Sequence, residues 1–155
     1  MRGFLMSLIF ALAACASAPA GADEIAYDAA PLQQCIASAG NDAAQLAGCK
    51  GAGVRPCIAS EGDSTIAATL CWDREATTWR EQLDAVVARL AAVAPAHADS
   101  LRASQTAWQS WVDAECGYRA DLFDGGSGAQ LEHVTCAADL AVERVVMLNQ
   151  TERGL

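Results

Sequence analysis

Residues 101–148 read LRASQTAWQSWVDAECGYRADLFDGGSGAQLEHVTCAADLAVERVVML, and their pattern decides the fold. Leu101, Gln105, Trp108, Val112, Cys116, Arg119 and Phe123 recur every three or four positions and are apolar at most steps, the repeat of one helix face. Asp124-Gly125-Gly126-Ser127-Gly128 breaks that helix in a tight turn, where one residue is expected at positive φ. From about Ala129 to Thr151 a further helical stripe carries Leu131, Val134, Ala138, Ala141 or Val142, Val145 and Leu148. Cys116 and Cys136 lie equally far from Gly126 along the chain. A hairpin turning there sets both at the same height, about 15 Å from the turn. A disulfide, which needs Cα atoms within about 7 Å, is then feasible. The same mirror sets Trp108 near Arg144 and Asp113 near Asp139, so Arg144 is placed to stack on Trp108 or to pair with an acid.

Working upstream, Asp63 or Ser64 can cap another long helix. Ile66, Leu70, Trp72, Trp79, Leu83, Val86, Leu90 and Val93 form its stripe until Ala94-Pro95 stops it. Three helices joined by short turns pack antiparallel, so residues 63–155 read as an all-α, antiparallel three-helix bundle. Residues 23–62 differ: rich in glycine, proline and small side chains, they offer only short helices around Pro31–Ala39 and Asn41–Cys49. This small N-terminal extension needs disulfide staples. Its cysteines fall at Cys35, Cys49, Cys57 and Cys71. Equal spacing suggests the successive loops Cys35–Cys49 and Cys57–Cys71, each stabilising by about 3 kcal/mol in the chain-entropy picture. The nested arrangement, Cys35–Cys71 around Cys49–Cys57, stays open, because spacing does not order four cysteines.

At the other end, Met1-Arg2-Gly3 precedes an apolar run from Phe4 to Ala16, too short to span a bilayer that needs about 20 residues. Residues 1–22 read as a secretory signal peptide, with Ala20-Gly21-Ala22 offering the cleavage pattern. The alternative is a lipoprotein signal over residues 1–14, with Leu12-Ala13-Ala14-Cys15 as a lipobox and Cys15 lipidated. On either route Cys15 drops out of the count, and Cys35, Cys49, Cys57, Cys71, Cys116 and Cys136 remain. Six cysteines in an exported chain imply three disulfides in a periplasmic or secreted setting.

The chain of 155 residues has 10 Lys and Arg against 19 Asp and Glu, a formal charge of −9. Its single lysine is Lys50. Loss of Arg2 with the leader makes it more acidic still. Such a balance argues against nucleic acid and against anionic lipid, leaving a lipid anchor on Cys15 as the only membrane link, and in favour of a basic protein partner. No cofactor motif is present, and no Cys-x-x-Cys or Cys/His cluster has metal-ligand spacing. His97, near a helix start, and His133, between Glu132 and Val134, belong to no nucleophile or metal motif. A hydrolase would have to rest on one of them, and the chain reads as a non-enzyme. Gly125–Gly128 lacks the strand and lysine of a phosphate loop. The carboxylates Asp23 with Glu24, Asp73 with Glu75, and Asp113 with Glu115 read as solvated faces. Among Trp72, Trp79, Trp108 and Trp111, Trp111 lies off the stripe and is the expected exposed anchor for a partner.

The segment Leu101–Leu148 resembles the lysozyme inhibitor LprI N-terminal domain family. The matching residues are Leu101-Arg102, Gln105-Thr106-Ala107-Trp108, Trp111, Asp113-Ala114-Glu115-Cys116, Gly125-Gly126-Ser127, Cys136, Leu140 and Arg144. Upstream, Cys57, Ser64-Thr65, Cys71, Glu75, Trp79 and Leu83 are similar to that family's first cysteine pair and first helix, so the resemblance spans about residues 57–148. Val112 stands where the family usually has arginine, Trp111 replaces a common tyrosine and Ala141 a threonine, so a polar contact built on that arginine and threonine is missing or rebuilt. The resemblance implies an exported, helical, disulfide-bonded module that inhibits lysozyme. On this reading a rigid acidic surface docks onto the cationic enzyme, with Trp111, Asp113, Glu115 and Asp124 as contacts. The alternative is a non-enzymatic structural or accessory protein of the envelope.

Overall fold

A computed structural model describes residues 25–155; residues 1–22, read above as a leader, and Cys15 lie outside the described residues. Among the described residues six helices follow one another: α1 (Ala30–Ala39), α2 (Ala43–Gly48), α3 (Val54–Glu61), α4 (Thr65–Val93), α5 (Ala98–Asp121) and α6 (Ser127–Arg153). A 3-10 turn, Pro95–His97, joins α4 to α5. Local chemistry sets the boundaries. Ser64 Oγ accepts from the Ala67 amide at 3.1 Å and opens α4, while Asp42 Oδ1 accepts from Gln45 N at 2.8 Å and opens α2, both N-caps that satisfy otherwise orphaned amides. Between α5 and α6 the chain reverses through Asp124 at φ 50 and Gly125 at φ 74. Two left-handed residues, rather than the one expected, make the turn.

The long helices form an up-down-up bundle, with α6 at its centre. Sequence neighbours run antiparallel, so α4 and α6 run parallel, and this non-adjacent pair makes the largest interface. Trp79, Leu83, Val86 and Leu90 of α4 meet Ala141, Val142, Val145 and Leu148 of α6 there, and Leu32, Ile36, Ala39 and Leu46 of α1 and α2 close the same core. The second interface is α5 on α6, around Val112, Cys116, Cys136 and Leu140. Between α4 and α5 there is little contact. Burial on α6 therefore extends well beyond one stripe, as a helix packed on two sides requires. Ile66 and Val93, expected on the buried face of α4, are 72% and 59% exposed. They sit in its first and last turns, where the core ends.

Among the described residues three disulfides join consecutive cysteines: Cys35–Cys49, Cys57–Cys71 and Cys116–Cys136, with Cα separations of 5.6, 5.9 and 5.6 Å. The nested alternative is not adopted. The last of them clamps α5 to α6 at the height that the mirror about Gly126 requires.

Two features of the N-terminal region depart from expectation. The helix α3 was not anticipated, and it has no capping side chain of its own. Glu75, expected on a solvated face with Asp73, is 0% exposed. Its carboxylate supplies the missing cap from α4: Oε2 accepts from Gly53 N at 3.0 Å and Val54 N at 2.9 Å, and Oε1 accepts from Gly51 N. A negative charge at the first turn of a helix, receiving several amide N–H groups, is among the stronger ways to satisfy a buried carboxylate. Asp73 stays exposed.

Candidate functional site

At about 100° per residue, the residues flanking Val112 on α5 divide to either side of the buried line. Trp111, Tyr118 and Leu122 emerge on one flank; Gln109 and Asp113 emerge on the other, towards α4. Trp111 is 49% exposed, and Tyr118 and Leu122 are exposed with it. Glu115 borders this apolar flank and accepts from Arg119 Nε at 2.8 Å, which raises the arginine pKa. Asp124 is exposed in the turn beyond. Trp111 and Glu115 thus share a surface, with Asp124 at its end, whereas Asp113 faces elsewhere.

That other direction opens into a trough of about 460 Å³ between α4 and α5. It exists because the two helices lean on α6 rather than on each other. Arg80 and Asp84 line the α4 wall; Gln105, Trp108 and Gln109 line the α5 wall. A smaller cavity of about 50 Å³ continues from it, reaching Asp113, His133 and the floor formed by Ala137 and Ala141. Asp113 Oδ1 accepts from Gln109 Nε2 at 2.9 Å. His97, by contrast, is exposed at the far end of the bundle, beside an apolar hollow of about 230 Å³.

The two α5 flanks are separated by a polar lock. Arg144 of α6 is 8% exposed. Its Nε donates to Gln105 Oε1 at 2.6 Å, its Nη2 donates to Ser104 Oγ at 2.8 Å, and its guanidinium lies 5.9 Å from the Trp108 ring centroid. Of the two roles open to Arg144, stacking on Trp108 is realised. Among the described residues no carboxylate pairs with it, and burial lowers its pKa. Asp139, placed by the mirror near Asp113, instead accepts from Lys50 Nζ at 2.6 Å.

Sequence reasoning missed Arg80, Asp84 and Gln109 as members of one surface. The four-residue spacing of Arg80 and Asp84 and of Gln105 and Gln109 was visible, but which helix each pair faces is not written in a period. Among the described residues no group of three His, Cys, Asp or Glu side chains is placed to hold a metal ion, and no helix is long and apolar enough to cross a membrane.

Neither the curated proteins nor the solved structures contain a match to the chain. The family described as Lysozyme inhibitor LprI matches residues 57–148. The match takes in the Cys57–Cys71 and Cys116–Cys136 disulfides, the buried Glu75 and the Gln105–Trp108–Arg144 lock. It covers more than half of the sequence, and the chain belongs to the lysozyme inhibitor LprI family.

Proposed function

We propose that this protein is an exported inhibitor that docks onto lysozyme through the outer flank of α5. The observation that carries the reading is the row Trp111, Tyr118 and Leu122, three large apolar side chains exposed on one helix flank, on a hairpin clamped by a disulfide. A rigid, partly apolar strip with an acidic border suits a cationic partner: burial of one or two aromatic anchors sets residence time, and charge steers encounter. Glu115 and Asp124 form the border, and the net charge of the whole chain has the same sign. Family membership supports lysozyme as the partner. Three disulfides favour an oxidising compartment, in keeping with residues 1–22 as a leader or with Cys15 as a lipid-anchored N-terminus; mass mapping of the unreduced, secreted chain distinguishes the two.

The deciding experiment is the clearing of bacterial cell walls by c-type lysozyme in the presence of the oxidised chain, at low and high salt. Clearing should slow at low salt, and Trp111→Ala should weaken inhibition at least about tenfold. Undiminished clearing at low salt and high inhibitor excess would sink the proposal.

A further inference from the structure

We infer that the trough between α4 and α5 is a binding site for a short oligosaccharide, distinct from the docking flank and independent of lysozyme inhibition. The fold leaves several hydrogen-bonding groups unspent around Trp108. Gln105 uses its Oε1 on Arg144, so its Nε2 amide is a free donor. Gln109 gives its Nε2 to Asp113, so its Oε1 is a free acceptor. Arg80 donates from Nη2 to Thr77 Oγ1 at 2.8 Å and keeps its remaining N–H groups. Asp84, one turn further along α4, forms no ion pair with Arg80 or with any other described residue.

Donors and acceptors therefore stand side by side on both walls, with an indole between them. A cationic ligand would want acceptors alone, and an anion donors alone. A hydroxyl both donates and accepts, so a row of hydroxyls matches a mixed lining at every step. The apolar C–H face of a pyranose complements an aromatic platform, as the amphipathic indole requires. The volume lies within the range of small-molecule clefts, and the Ala137 and Ala141 floor leaves the continuation towards Asp113 and His133 open for a substituent. Arg144 holds Trp108 and Gln105 in place from the opposite side, so the platform is organised before any ligand arrives.

The test is titration of the isotope-labelled, oxidised chain followed by amide and indole NMR, with cellotetraose, chitotetraose and penta-alanine as separate probes. Saturable shifts of the Gln105 and Gln109 side-chain amides and the Trp108 indole N–H are expected with at least one sugar, at a Kd on the order of 1 mM. The pair Asp84→Ala with Gln109→Ala, both on exposed positions, should raise that Kd at least about tenfold; Gln109→Ala alone should give a smaller rise in the same direction and serves if the pair disturbs α4. No shift with either sugar at about 20 mM, shifts with penta-alanine alone, or sugar shifts that survive these variants would each overturn the assignment. Inhibition of lysozyme by the same variants should be unchanged, which separates failure of this site from failure of the docking flank.

Discussion

A carboxylate shut away from water must be held by something else, and at Glu75 three backbone N–H groups do so. Glu75→Gln replaces one acceptor oxygen with a donor that faces amide donors. The expected loss is about 3 kcal/mol in urea unfolding, accompanied by faster hydrogen exchange at Gly51, Gly53 and Val54. Nearby, the Tyr27 hydroxyl is buried without a hydrogen-bond partner among the described residues. Its neighbour Thr78 spends its own hydroxyl on the Arg74 carbonyl. Desolvation is the main cause that pushes the Tyr27 pKa up to about 12 from 10.0. The folded chain thus favours the neutral phenol, and this contribution is intact below pH 10 and lost as pH rises towards about 12. Tyr27→Phe should be at least as stable as the parent at pH 7 and should gain on it steadily above pH 10, read from paired unfolding curves. A Cβ at Gly53 would stand 2.8 Å from Tyr27 Cζ, so any side chain there requires the Tyr27 ring to move. Arg144→Lys, which surrenders the planar fork shared by Gln105 and Ser104 and the stack on Trp108, should cost about 1–2 kcal/mol despite keeping its charge.

At the scale of elements, α5 depends on α6 and on one disulfide. Cys116→Ser with Cys136→Ser should therefore lower stability by about 3 kcal/mol, measured by urea unfolding, and exchange protection should fall most along α5. The three long helices were legible in sequence because their stripes are long and their ends carry Ser64, Pro95 and the Gly125–Gly126 turn. The hairpin register was legible for a geometric reason, the symmetric placement of Cys116 and Cys136 about Gly126. What remained hidden had physical causes. α3 begins at glycines and contains Pro56, and its cap, Glu75, comes from another helix. The breadth of burial on α6, and the gap between α4 and α5 that makes the trough, depend on which helix takes the centre. Periodicity marks a buried face but does not name its neighbour. The exposure of Trp111 was legible because a tryptophan off the stripe has few places to hide, whereas the direction of Asp113 is a matter of angle: two residues apart on a helix point to nearly opposite sides.

Across the whole molecule, acidic residues outnumber basic ones by nearly two to one, and the ion pairs present are mostly at the surface. Such pairs add little to stability, so the charge is free to act at long range. If the docking flank binds lysozyme, its association rate should fall on the order of tenfold between low and high salt while dissociation changes far less, as stopped-flow mixing would show. Charge reversal at Glu115 should reduce the rate, and reversal at Asp113, which faces the trough, should matter less. The disulfide pattern has a consequence for how the chain matures. The six cysteines among the described residues admit fifteen pairings, and the one adopted always joins one of the six to the next in line. A polypeptide that emerges from its N-terminus can seal each bridge before the following pair comes into view, so oxidation in order of arrival already gives the native set and leaves no mispaired bond for an isomerase to correct.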